Sequence, residues 1–187
     1  MANKEAAFGL RPIGKVGQNR DAQGLSEYDI AASASAIYFN DPVEILSTGT
    51  IGVAAATDAL LGSLNGVFFT DATTSKPTFA NHLNASNTAT DIKGFVTDDP
   101  YQRYEIQSDG ATEATDVGQN ADIVYAAGSS PDFVSKVELD ESDHKDATAQ
   151  LRIIGISKDP ENNTAGSANV NLVVIINEHQ LKGTTGV

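Results

Sequence analysis

Apolar and polar positions alternate along this chain with the period of strands. In YQRYEIQS, Gln102, Tyr104 and Ile106 fall on one side and Tyr101, Arg103 and Glu105 on the other. A period of two predicts a half-buried strand. Short β-favouring runs recur before it: SEYDI, AIYFN and PVEIL between Ser26 and Leu46, TIGVAAAT after the Thr48-Gly49 turn, VFFT after Gly66, and IKGFVT from Ile92. ADIVYAAG, FVSKVELD, QLRIIGIS and NVNLVVIIN follow at roughly even spacing. Gly, Pro, Asn and Asp divide these runs. Asp41-Pro42 and Asp98-Asp99-Pro100 read as turns, because proline biases the residue before it away from helix.

The polar stretch Thr70 to Asp91 predicts an exposed loop or ragged edge strands, with one short strand at Pro77 to Ala80. Helix is scarce. Thr57 to Leu61 fits a turn, and Ser142 to Ala149 fits one or two turns capped by Ser142 or Asp143. About a dozen short strands with turn residues between them predict an all-β fold, an antiparallel sandwich or barrel. No strict 20–50-residue repeat is present.

A chain of 187 residues fits one domain with an extension. It has no Cys, which excludes a disulfide framework and a thiolate metal site. No apolar stretch of signal-peptide type stands at its start. Its strongest apolar run, LVVIIN from Leu172, falls far short of the ~18 residues that span a bilayer.

Charge divides the chain. The formal net charge is -13. The first 24 residues carry Lys4, Arg11, Lys15 and Arg20 against Glu5 and Asp21, a local excess of cations on an otherwise acidic protein. This predicts an extended N-terminal arm over 1–24, a β-rich domain over 25–176 and a polar C-terminal tail over 177–187. An acidic body disfavours nucleic acid, whose phosphates need Lys and Arg. Within the arm, Phe8, Leu10 and Ile13 are apolar anchors for a partner's groove, and Arg11, Lys15 and Arg20 are available for carboxylates. The partner is another protein or a neighbouring protomer. The competing reading is that the arm supplies the first strand of its own sheet. A strand exchanged between protomers satisfies both.

Candidate chemistry is sparse. The acidic run Asp140 to Asp146 lacks EF-hand spacing and reads as a solvated turn. His82, His144 and His179 stand in separate polar segments, with no ligand spacing among them, and read as surface residues. No nucleophile elbow or phosphate-binding loop is present. A paired-carboxylate glycan hydrolase stays open, because acids are plentiful, but the chain has no Trp and few aromatics for a sugar platform. Tyr38, Phe39, Phe68, Phe69, Phe95, Tyr104, Tyr125 and Phe133 lie in strand-like runs, where core packing is the expected role. No catalytic residue, cofactor or metal ligand is assigned.

The phrases MANKEAAFGLRPIGKVG, YFNDPVEIL with TGTIGVA, PYQRYEIQ with VGQNAD, and LRIIGISKDPENN with NVNLVVIINEHQL resemble small structural proteins of tailed bacteriophages, more narrowly the capsid decoration (cement) proteins. The resemblance implies a non-enzymatic β-rich homotrimer, made in the host cytoplasm, on the outer capsid surface of the virion. There it binds the major capsid protein and clamps neighbouring capsomers, with no nucleic acid and no membrane as partner. A tail, fibre or host-surface-binding virion module is the alternative within the same class.

Overall fold

The structure, a computed structural model, describes residues 2–16, 24–144 and 147–183. It is an all-β architecture of antiparallel sheets, as the alternation predicts. Sheet I has five strands in the order β1 (Arg11–Lys15), β8 (Gln102–Gln107), β13 (Asn171–Ile176), β12 (Leu151–Ile156) and β9 (Asn120–Ala121). Sheet II follows the order β2 (Ser26–Asp29), β7 (Lys93–Thr97), β5 (Gly62–Thr70), β3 (Pro42–Ile45) and β4 (Ile51–Val53). Its sixth strand, β6 (Pro77–Ala80), pairs with the far half of β5. A two-stranded ribbon joins β10 (Ile123–Val124) to β11 (Glu138–Leu139). Among the described residues the two end strands of each large sheet do not pair with one another, so the sheets are open and not barrels.

Alternation builds the cores. Tyr104 and Ile106 of β8, Leu172, Val174 and Ile176 of β13, and Leu151 and Ile153 of β12 bury against Ile123, Val137 and Leu139. A second cluster gathers Leu64 and Val67 of β5 with Val43, Ile51 and Val96, covered by Ile30, Ile37, Leu83 and Ile92 from the connections. Each such side chain contributes roughly 1.5–3 kcal/mol on burial. Two consecutive residues tie the clusters together: Leu60 is buried in the first and Leu61 in the second.

Several expected elements are shorter or differently placed. AIYFN forms only isolated bridges, Ile37 with Leu83 and Phe39 with Val134. FVSKVELD keeps two strand residues. The turn expected from Ser142 is a single 3-10 turn, Glu141–Asp143, capped by Asp140, whose carboxylate accepts the Ser142 N–H at 2.9 Å.

Both ends of the described chain lie on the domain. Residues 11–15 supply the edge strand of the protein's own sheet, antiparallel to β8. Upstream, the Lys4 N–H donates to Asn162 Oδ1 at 2.9 Å and the Ala6 N–H to Gln107 Oε1 at 2.8 Å. Gly9 has φ +71°, and a Cβ there would stand 2.5 Å from the Asn40 carbonyl oxygen, so only glycine lets the segment pass. At the other end, Gln180 accepts the Ile45 N–H at 2.7 Å and donates to the Ile45 carbonyl at 3.1 Å. Over residues 177–183 the polar tail is therefore fastened to sheet II.

Gln150 occupies the seam and is fully buried. Its Oε1 accepts the Ile123 N–H at 3.1 Å, and its Nε2 donates to the carbonyls of Ala55 and Asp58 at 2.8 and 2.7 Å. Asp41 is also buried and accepts the Tyr38 N–H at 2.7 Å through Oδ2. Its Oδ1 has no hydrogen bond of good geometry. Burial pushes the carboxyl up to about 6, against the opposing pull of Ser135 and the Tyr38 N–H.

Gln150→Ala leaves three backbone groups without their partner, and we expect a loss of about 2–4 kcal/mol in urea unfolding at unchanged m-value. A loss below about 1 kcal/mol would show that the amide is not what holds the seam. Asp41 is raised in the fold, so its contribution is full below about pH 4 and is lost as pH rises through about 6, by up to about 3 kcal/mol. Asp41→Asn keeps an acceptor for Tyr38 and cannot ionise. Its stability relative to the parent should therefore climb between pH 4 and pH 8, and an equal difference at both pH values would contradict the assignment.

Candidate functional site

The chain has four arginines, and three of them share the outer face of sheet I. Directly opposed residues of antiparallel strands point to the same side. Ile175 of β13 stands opposite Arg103 of β8 on one flank and opposite Arg152 of β12 on the other. One row away, Arg11 of β1 stands opposite Glu105, which stands opposite Val173. The result is a cationic face with half-buried Val173 and Ile175 between the guanidinium groups.

The three arginines differ in their partners. Arg11 forms an ion pair with Glu105, and its guanidinium carbon lies 4.4 Å from the Phe8 ring centre. Arg152 donates to Asn120 Oδ1 and Asn177 Oδ1, both at 2.9 Å. Neither Arg103 nor Arg152 pairs with a carboxylate among the described residues. On a protein of net charge -13, two exposed arginines free of acids are a local reversal of sign.

The face runs out to the open edge of β1. Ile13 and Val16 are 48% and 45% exposed there. The Val16 N–H donates to the Tyr101 carbonyl at 2.8 Å, and the Lys182 ammonium stands 4.6 Å over the exposed Tyr101 ring. Lys15 pairs with Asp99, and that ion pair first, with the Tyr101 N–H, holds the Asp99 carboxyl below the usual range. Pro12 and a register shift between Pro12 and Gly14 interrupt the edge, which limits uncontrolled strand addition.

Of the residues singled out from sequence, Arg11 and Ile13 are exposed at this surface, and Phe8 is half-buried beneath the Arg11 guanidinium. Lys15 is committed to Asp99. Leu10 is fully buried in the first core, because the Gly9 crossing turns it inward, so it anchors the chain's own fold. Arg20 lies outside the described residues. Arg103, Arg152, Val173 and Ile175 were missed. The outward position of Arg103 was readable from the alternation of β8, but which strands lie beside it depends on pairings between distant segments.

The aromatic assignment needs correction. Tyr104 is a core residue, but Phe68 and Phe95 lie on the outer face of sheet II. Phe68 of β5 stands opposite Phe79 of β6, with ring centres 4.8 Å apart, and Phe79 is 74% exposed. The Phe79 ring stacks toward Phe95 of β7 at 6.4 Å, across Gly66, which adds no side chain between them. Beside the rings, Lys93 pairs with Glu27 at 3.3 Å and Asp29 at 2.7 Å, leaving an excess of carboxylate.

The histidines stay apart, but they are not all surface groups. His82 stacks on Phe133 at 3.9 Å. His144 Nδ1 lies 3.6 Å from Asp116. His179 is buried, its Nδ1 accepts the Leu181 N–H at 3.0 Å, and burial first, then Lys182, lowers its pKa. Among the described residues no group of three or more His, Asp or Glu is placed to hold a metal ion. Among them too, no helix is long and apolar enough to cross a membrane. No family model, curated protein or solved structure matches this chain.

Proposed function

We propose that this protein is a non-enzymatic structural component of a tailed-phage virion that binds the outside of the capsid and clamps neighbouring capsomers as a homotrimer. The observation that carries the reading is the basic and apolar surface of sheet I on an acidic body: Arg11, Arg103 and Arg152 on its face, Ile13 and Val16 on its open edge. Arginine is enriched in contact surfaces, and exposed apolar groups beside it add area that a partner can bury. The sequence phrases that resemble decoration proteins supply the identity of the partner.

The physical case is one of added binding energy. Packed DNA strains a head outward, and a clamp contributes free energy that must be lost before capsomers separate. A contact of ordinary size buries on the order of 1,600 Å². Repetition about a three-fold axis adds avidity when all copies engage together. Net negative charge over the rest of the surface limits adhesion between particles.

The test uses full-length protein and heads that lack it. Wild-type protein should saturate the shell in many copies, seen at three-fold positions by cryo-electron microscopy. The pair Ile13→Asp and Val16→Asp, both at exposed sites, should fold normally and weaken binding about tenfold or more, about 1.4 kcal/mol. A few copies confined to the tail would overturn the capsid assignment in favour of a tail or fibre module. Undiminished shell binding by the variant would remove the β1 edge from the interface.

A further inference from the structure

The outer faces of the two sheets are chemical complements. Sheet I presents Arg103 and Arg152 flanking Ile175, with Val173 and Arg11 in the next row. Sheet II presents the Phe68, Phe79 and Phe95 rings flanked by Glu27 and Asp29, which are 55% and 65% exposed. Guanidinium groups are drawn both to carboxylates and to the faces of aromatic rings, and this chain already makes one such contact, Arg11 over Phe8. Aliphatic side chains between arginines face rings bordered on one side, along β2, by two acids that share a single lysine, Lys93. Phe79 leans on Phe68 and Phe95 yet stays 74% exposed, on a strand only four residues long at the rim of its sheet.

The two faces belong to different sheets of one body, so the contact they favour joins unlike patches. A head-to-tail contact of that kind closes into a ring or runs on as a filament. We propose that copies of this chain assemble head to tail, the arginine face of sheet I in one protomer seating on the phenylalanine face of sheet II in the next, and that three copies close the ring. The inference rests on the homotrimer reading above and names the surfaces that make it. It gives the arginine face of that surface to the next protomer and leaves the open edge of β1, with Ile13 and Val16, as the part that meets the shell.

Sedimentation of the full-length protein tests it by charge reversal. Wild-type protein should sediment as a trimer. Arg103→Glu with Arg152→Glu should shift it to monomer, and so should Glu27→Arg with Asp29→Arg. The variant carrying all four changes should recover the trimer, because the reversed charges again oppose each other, and recovery also shows that no pair prevents folding. Circular dichroism and thermal melting identify any variant that does not fold. For such a variant, the apolar half of the contact is probed by Phe79→Ser, which should also give monomer.

A wild-type trimer that both folded pairs leave intact overturns these faces while the homotrimer reading stands. Folded monomeric pairs with no recovery in the fourfold variant overturn the facing of arginines to acids. A wild type that is monomeric at every concentration, and isolated on the shell, overturns the homotrimer reading and this inference with it.

Discussion

A protein of short strands has more backbone ends than ladders to satisfy them, and here buried side-chain amides make up the difference. An N–H or C=O shut away from water without a partner costs more than most single contacts return. Gln150 serves three such groups from two distant segments of the chain. Gln107 accepts from Ala6 and donates to the carbonyls of Lys4 and Asn169 and to Asn171. Asn162 binds Lys4 through both its oxygen and its nitrogen. The amide carries donor and acceptor on one rigid plane, so each residue ties strand ends that no sheet could join. The seating of the N-terminal strip, and with it the position of Arg11 and Ile13, depends on these bonds.

Much of the fold was legible locally. Tyr104 and Ile106 face in and Arg103 and Glu105 face out, as the alternation of that run requires. The strand at Pro77–Ala80 stands where its β-favouring Thr and Phe sit between turn residues. Asp99 accepts the Tyr101 N–H at 2.7 Å, the local bond that makes Asp a turn residue. What failed was non-local. The run Gly62 to Gly66 carries two glycines and an asparagine, weak strand formers. It is nonetheless part of β5, because β3 and β7 flank it on both sides. Phe68 and Phe95 read as core from composition, yet strand parity places them with Lys93 and Glu27. Leu10 could not be told from an anchor for another molecule until its own core was seen to close over it. The polar neighbours of His179 point to the surface, whereas the bridge of Leu60 to His179 draws it inside.

The surface follows from the same parity. A sheet with one face in a core has a second face to spend, and this chain spends the two differently. Sheet I gathers arginines that the acidic body otherwise lacks, and sheet II gathers rings beside acids. Neither grouping is visible as a motif, since its members come from three or four strands far apart in the chain. Unlike patches held on one body recognise other molecules by orientation as well as by chemistry.

The adjacency of Leu60 and Leu61 has a mechanical meaning. One peptide bond separates a side chain locked among sheet I residues from one locked among sheet II residues. Tension applied to either half therefore reaches the other at this point without first stretching a linker. A body loaded from opposite sides gains stiffness from such a rivet, because the slack that a flexible joint would supply is absent.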